Sequence, residues 1–370
     1  MKSLDIKIRL LSVICAGCLL LSGCSIGGEV YEKTPHFSGE QEGQIPADMI
    51  VVSTYSAIKT KLQEMINSAQ PSIKLAVVDY WGDVDTDIKD IIMQITTEDP
   101  VGNYAVSSII YEQAKTIGYH QVSLSVQYKK TAQEIKNIIN IKNREDFELQ
   151  LADTFRQFKT KQVFNVSVPG TESELLEMAY KAYYNNPETS IGLKSVKFSQ
   201  IKDTKMNQIL EMDIEYLWDK ADLLIMRDIT EKTAEEIVIE YHDKTTDEKI
   251  LFIYDYLQSV PIDAESMIVV SETNNTQPKS EPYSAYGALV SGKTSQSGIA
   301  LSAKLFCDLL DVPSYIIEGK KNDVPHLWLV VDRGDIWQHF DVTNADGNYI
   351  ISTIDLAQNY HFNENIYHLF

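Results

Sequence analysis

Two residues near the C-terminus have the types and spacing of the base half of a nucleophilic active site. In "HLWLVVDRGDIWQHFDV" apolar and polar residues alternate on either side of Arg333-Gly334, the pattern of a hairpin with a two-residue turn. Pairing Asp332 with Asp335 across that turn sets His326 opposite Asp341 and Trp328 opposite His339 on one face, with Cβ atoms about 4.5–5.5 Å apart. An imidazole oriented by a carboxylate can serve as a general base, although the same pair also occurs as a satisfied surface contact. A base needs a nucleophile. The head of a helix suits one, because the macrodipole favours a thiolate and the free N–H groups can hold an oxyanion.

The stretch "ALVSGKTSQSGIALSAKLFCDLL" predicts such a helix. Ile299, Ala303, Phe306, Cys307 and Leu310 fall on one face, Pro313 stops it, and Ser295 or Ser297 is available as N-cap. The residue at its head is Gln296, a carboxamide with no nucleophilic lone pair comparable to a thiolate. Cys307 lies further along on the core face, where a thiol acts as a small inert hydrophobe. Ser295 and Ser297 remain as alternative nucleophiles, each displaced from Gln296 by about 100° around the helix.

These landmarks resemble the transglutaminase-like domain of the papain-like cysteine hydrolase superfamily. That family begins its site helix with G-K-x-x-C-Q-G-x-A; Gly292, Lys293, Gly298 and Ala300 match, and Gln296 falls on the cysteine. "DEKILFIYDYL", "AYGALVSGK", "HLWLVV" and "WQHFDVT" supply the other matches. The resemblance implies a Cys-His-Asp triad, of which His326 and Asp341 carry over with Gln296 as a degenerate nucleophile position. It also implies a peptide groove with Trp328 as a binding residue, and no cofactor.

The elements that must hold these residues can be read upstream. Thr245 and Glu248 form a capping box, and Ile250, Ile253, Tyr254 and Leu257 follow at helical spacing, which predicts the helix that opens the C-terminal domain. Before it lies an internal repeat. "IKLAVVDY", a helical stretch, "EDPVGNYAVSSIIYEQ" and "HQVSLSVQY" make one unit. "KQVFNVSV", "ESELLEMAYKAYY", "NNPETSIGLKSVKFSQ" and "ILEMDIEY" make the second. Gln113 and Gln200 are 87 residues apart and Tyr128 and Tyr216 are 88 apart, so the register holds. Each unit reads strand, helix, Asp/Asn-Pro break and two alternating strands. Neither contains metal-ligand spacing, a phosphate loop or a basic aromatic stripe.

At the N-terminus Lys2, Lys7 and Arg9 precede the apolar run Leu10 to Leu21, and "LLSGCS" resembles a bacterial lipobox. The expectation is export, with Cys24 lipidated as the mature N-terminus and the protein held on the extracytoplasmic face of a membrane. The removed segment carries three basic residues and one acidic one, so the formal charge moves from −20 to −22, which disfavours nucleic acid as a partner. Cys15 and Cys18 leave with it, so Cys307 is the remaining free thiol.

The expected fold class is α+β: a signal peptide (1–23), a flexible tether (24–47), two tandem small α+β repeat modules (48–145 and 146–235) and a transglutaminase-like (papain-like) α+β domain (236–370). Composition, 44% hydrophobic and 23% charged, is that of a globular chain. The expected function is peptide or cell-envelope binding or scaffolding by a catalytically inactive domain. The alternative is an active hydrolase or acyltransferase with a non-cysteine nucleophile. No metal or cofactor is expected.

Overall fold

In the computed structural model the described residues are 45–167, 170–201, 208–262, 281–334, 336–344 and 347–367. The expected signal peptide, most of the expected tether and Cys24 lie outside them. The described residues form an α+β fold of three four-stranded sheets.

The first unit runs β1 (Ile50–Val52), α1 (Tyr55–Asn67), β2 (Ser72–Val77), α2 (Val84–Thr97), α3 (Pro100–Ala105), β3 (Val106–Thr116) and β4 (Tyr119–Tyr128). After the short α4 (Ala132–Lys136) the second repeats the order, without a counterpart of α3, with β5 (Ile138–Ile141), α5 (Arg144–Arg156), β6 (Lys161–Val166), α6 (Glu172–Tyr184), β7 (Leu193–Ile201) and β8 (Gln208–Tyr216). The sheets are β1-β2-β4-β3 and β5-β6-β8-β7, each with a parallel first pair and antiparallel pairs after it. Even the irregularity recurs. A register shift falls between Val106 and Ser108 opposite Tyr128 and Gln127, and again between Leu193 and Ser195 opposite Tyr216 and Glu215.

The repeat is longer than its sequence pattern suggested. Each unit opens with a parallel strand and a helix, β1–α1 and β5–α5, that precede the first strand read from the sequence. Strands of three and four residues are too short to show an alternation. Two of the expected boundaries fall inside helices. Helix α5, capped by Asn143, runs across the 145/146 boundary, and α7 (Lys220–Val238), capped by Asp219, runs across 235/236.

The alternation of β4 buries Val122, Leu124 and Val126 against α1, α2 and α3. Val163 and Ile209, from the opposite face of the second sheet, complete that first core. There Glu211 of β8 accepts hydrogen bonds from Tyr104 of α3 (2.6 Å) and from Lys130 (3.1 Å). The second unit's core is continuous with that of the C-terminal region.

That region comprises α7, α8 (Thr246–Gln258), a π-helical turn (Gly287–Ser291), α9 (Gln296–Leu309), β9 (Ser314–Lys321), β10 (Val324–Asp332), β11 (Trp337–Phe340), α10 (Thr353–Asn359) and β12 (Tyr360–Phe362). The sheet order is β11-β10-β9-β12, all antiparallel. The capping box of α8 forms as expected, and its four apolar residues are buried. Helix α9 packs on α7, α8, β9 and β10. Helix α6 joins the two parts where β12 stops: the Asn185 side chain donates to the Ile316 carbonyl (3.2 Å) and accepts from the Ile316 N–H (2.8 Å).

Candidate active site

Ser295 caps α9. Its Oγ accepts from the Gly298 N–H (3.3 Å) and donates to the Pro282 carbonyl (3.0 Å), and the residue is buried. Of the two serines flanking Gln296, this one is therefore committed to structure. Gln296 is the first residue of the helix and is exposed, so it stands at a helix head as expected. Ser297 follows it, half-buried. The turn below is packed so closely that a Cβ on Gly298 would come within 2.4 Å of Thr294 Oγ1 and 2.6 Å of the Pro282 carbonyl. Cys307 is fully buried, and burial pushes its thiol up to about 12. It belongs to the core.

His326 and Asp341 meet. His326 Nε2 lies 2.9 Å from Asp341 Oδ2, and both side chains are almost entirely buried. The expected register, however, is wrong by two residues. Asp332 pairs with Trp337, not Asp335, and Val330 pairs with His339, so His326 and Asp341 are no longer direct cross-strand partners. The connection is a four-residue loop closed by the Arg333 N–H to the Ile336 carbonyl (3.1 Å), with the Gly334 N–H donating to Asp332 Oδ1 (2.8 Å). A shift of two keeps every side chain on its face. The pair then forms along the diagonal, which long side chains can span. The Trp328–His339 contact survives in the same way, with indole Nε1 donating to His339 Nδ1 at 2.9 Å.

Trp328 itself is a correction. It is wholly buried among His326, His339, Tyr360 and Phe362 and lies against Gly319, so it is a core residue and not part of a binding surface.

Asp341 has more partners than a triad supplies. Oδ2 also accepts from Lys321 Nζ (2.9 Å) and Tyr360 OH (2.8 Å), and Oδ1 accepts from the Thr343 N–H (3.0 Å) and hydroxyl (2.7 Å). Burial acts to raise its carboxyl. The hydrogen bond from His326 and the ammonium of Lys321 outweigh that and hold it well below the usual carboxylate range. Since an ionised carboxylate only accepts, Nε2 of His326 carries the proton of their bond, and Nδ1 is the nitrogen left to act as a base. Burial and the Asp341 charge push the Tyr360 hydroxyl far up, so it stays a donor. Lys321 Nζ also bonds Asn344 Oδ1.

Lys321, Thr343, Asn344 and Tyr360 were not legible as site residues. They come from the end of β9, the loop after β11 and the start of β12, and no spacing in the sequence joins them. No hydrogen bond among the described residues links Gln296 to the His326–Asp341 pair. No group of three or more metal-ligating side chains occurs among them either.

No family model matches the chain, and no curated protein does. Solved structures show a distant likeness. One, described as a TGase, is 14% identical over 64% of this chain and 65% of its own, with a TM-score of 0.28. A candidate cysteine protease from Cytophaga hutchinsonii is 13% identical over 46% of this chain and 72% of its own (TM-score 0.25). A candidate protease from Parabacteroides distasonis is 10% identical over 64% and 48% (TM-score 0.22). This chain thus spans just under two thirds of the first of these structures.

Proposed function

We propose that the protein is a lipid-anchored, extracytoplasmic lipoprotein whose transglutaminase-like domain binds or scaffolds peptide at the cell envelope without turning it over. The observation that carries this reading is the side chain at the head of α9. Gln296 stands exposed on the first turn, Ser295 is spent as the cap, and Cys307 is buried with its thiol pushed up. Losing a serine-protease nucleophile costs roughly a millionfold in rate, and an oriented base cannot replace it. A retained His326–Asp341 pair without a thiol is what a binding site derived from a hydrolase would keep.

The test is alkylation of Gln296→Cys by dilute iodoacetamide across pH, with Cys307→Ala in every chain. A thiol at this position should react with an apparent pKa below the free-thiol value of about 8.5. That value should move back towards it when His326→Ala is added. Hydrolysis or crosslinking of a glutamine peptide by the unmodified protein, abolished by Ser297→Ala, would establish the active alternative instead. Anchoring is tested separately: labelled palmitate should enter the wild type and not Cys24→Ser, and equal labelling of both would remove the lipoprotein from the proposal.

A further inference from the structure

Trp81, on the loop between β2 and α2, is wholly exposed, the most open large apolar side chain among the described residues. Packing makes no use of it, yet the loop is braced on both sides. Before it, Asp79 takes a left-handed backbone (φ 46°) and Tyr80 OH donates to Asp87 Oδ2 (2.6 Å). After it, Asp83 Oδ1 accepts from the Thr86 N–H (2.8 Å) as the cap of α2. A Cβ on Gly82 would come within 2.4 Å of Asp87 Oδ2 and 2.8 Å of the Tyr80 ring, so the turn is closely packed on its inner side. An indole held in water on an ordered loop is the kind of side chain that interfaces use as an anchor, because it brings much contact area at little cost in rotamer entropy.

The charge around it selects the partner. Residues 79–90, "DYWGDVDTDIKD", set five aspartates against one lysine, and that lysine is already bonded to Asp85 (2.9 Å). Asp79 and Asp83 stand two residues to either side of Trp81, and both are exposed. Such a field repels anionic lipid and anionic polymers and adds nothing to the binding of a neutral glycan. It draws a cation, for which an indole face is the best aromatic platform. No wall encloses the ring, so a small cation would meet one face alone, whereas a chain with several cations also reaches the flanking carboxylates. The N-terminal side of the chain enters the sheet elsewhere: Asp48 pairs with Lys74 (2.8 Å) and Ile50 lies opposite Leu75, while Trp81 follows the far end of β2. We infer that Trp81 anchors a docking surface for a basic peptide segment of a partner protein, an arginine or lysine lying over the indole while neighbouring cations meet Asp79 and Asp83.

This surface belongs to the first unit, and its test leaves Gln296, His326 and Asp341 untouched. The purified full chain is titrated with a short capped peptide of alternating arginine and leucine, labelled for fluorescence anisotropy. Binding is expected, weaker by about three- to thirtyfold in Trp81→Ala and by less in Trp81→Phe, which keeps a ring. Asp79→Asn combined with Asp83→Asn should also weaken it and flatten its dependence on salt; an unchanged affinity and salt slope there would overturn the part given to the carboxylates. Because the indole packs on nothing, far-ultraviolet dichroism should be the same in all these chains. Equal affinity in the wild type and Trp81→Ala would overturn the proposal, since attraction to an acidic surface at large needs no indole. Failure of the peptide to bind would overturn it as well. Phosphatidylglycerol vesicles or a chitin oligosaccharide bound in its place, and lost with Trp81→Ala, would assign the indole to a membrane or a glycan and overturn it too.

Discussion

At the scale of single residues the site is governed by one buried carboxylate. Asp341 has no exposure and five donors, so replacing it leaves Lys321, His326, Tyr360 and Thr343 facing an empty acceptor. Asp341→Ala is expected to lose about 3–5 kcal/mol at neutral pH, read from urea denaturation. Because the folded carboxyl is held below the ordinary range, its contribution is full above the unfolded value of about 3.9 and fades as pH falls below that towards the depressed one. The gap between the two chains should therefore close only in strong acid. His339 gives the same pH sense for a different reason. Burial lowers it from 6.5 to about 4, and its Nδ1 must stay unprotonated to accept from Trp328. The unfolded chain then takes up the proton first, so stability falls as pH drops from 6.5 towards about 4. His339→Gln keeps an acceptor without a titration, and its urea midpoint should be flatter across that window. An equal slope in both chains would show that another group sets it.

At the scale of elements, the head of α9 is fixed by a close backbone approach. Alanine is the better helix former by about 1 kcal/mol, yet a Cβ at Gly298 would sit 2.4 Å from Thr294 Oγ1 and 2.9 Å from the Ser284 carbonyl. Backbone cannot yield cheaply, so Gly298→Ala should destabilise by about 1–3 kcal/mol and, in the Gln296→Cys background, weaken alkylation. A neutral or stabilising effect would mean that the turn at 282–284 moves freely. The glycine was legible as a family landmark, but the reason for it was not, because contacts with Pro282 and Ser284 depend on tertiary packing. The hairpin divides the same way. Its faces followed from alternation, and alternation is blind to a slip of two; the choice between Asp335 and Trp337 as partner of Asp332 was made by the loop that Arg333 and Ile336 close. His326 and Asp341 were found because both registers keep them within reach. Trp328 was misassigned because a tryptophan on the site face and one buried behind it share the same parity. Lys321 and Tyr360 belong to strands brought together only by the β9–β12 pairing, through Lys321↔Tyr360.

At the scale of the whole chain, the two repeated units are stacked, and the stack has an end. Ladder registers make Lys74 the counterpart of Val163, Gln121 of Ile209 and Ser123 of Glu211. In the second sheet these positions are buried or bonded against the helices of the first unit. In the first sheet they are polar and at least partly exposed, as expected of a terminal repeat whose outer face meets solvent. The difference between a covered and an open face is thus written in the side chains, and it can be transplanted. Val163→Lys with Ile209→Gln gives the covered face the residues of the open one. Two side chains of this kind are worth about 1.5–3 kcal/mol each when fully buried, so the junction should lose most of what couples the units. The wild type is expected to unfold in one urea transition, seen alike by far-ultraviolet dichroism and by the fluorescence of the buried Trp328. In the double variant dichroism should fall first, as β1 to β4 and their helices melt, while the fluorescence change stays at higher urea because the second unit and the C-terminal region share one core. Coincident curves in the variant would show that Tyr104, Lys130 and Glu211 hold the units together without the apolar pair, and combining it with Glu211→Ala would then be the change that separates them.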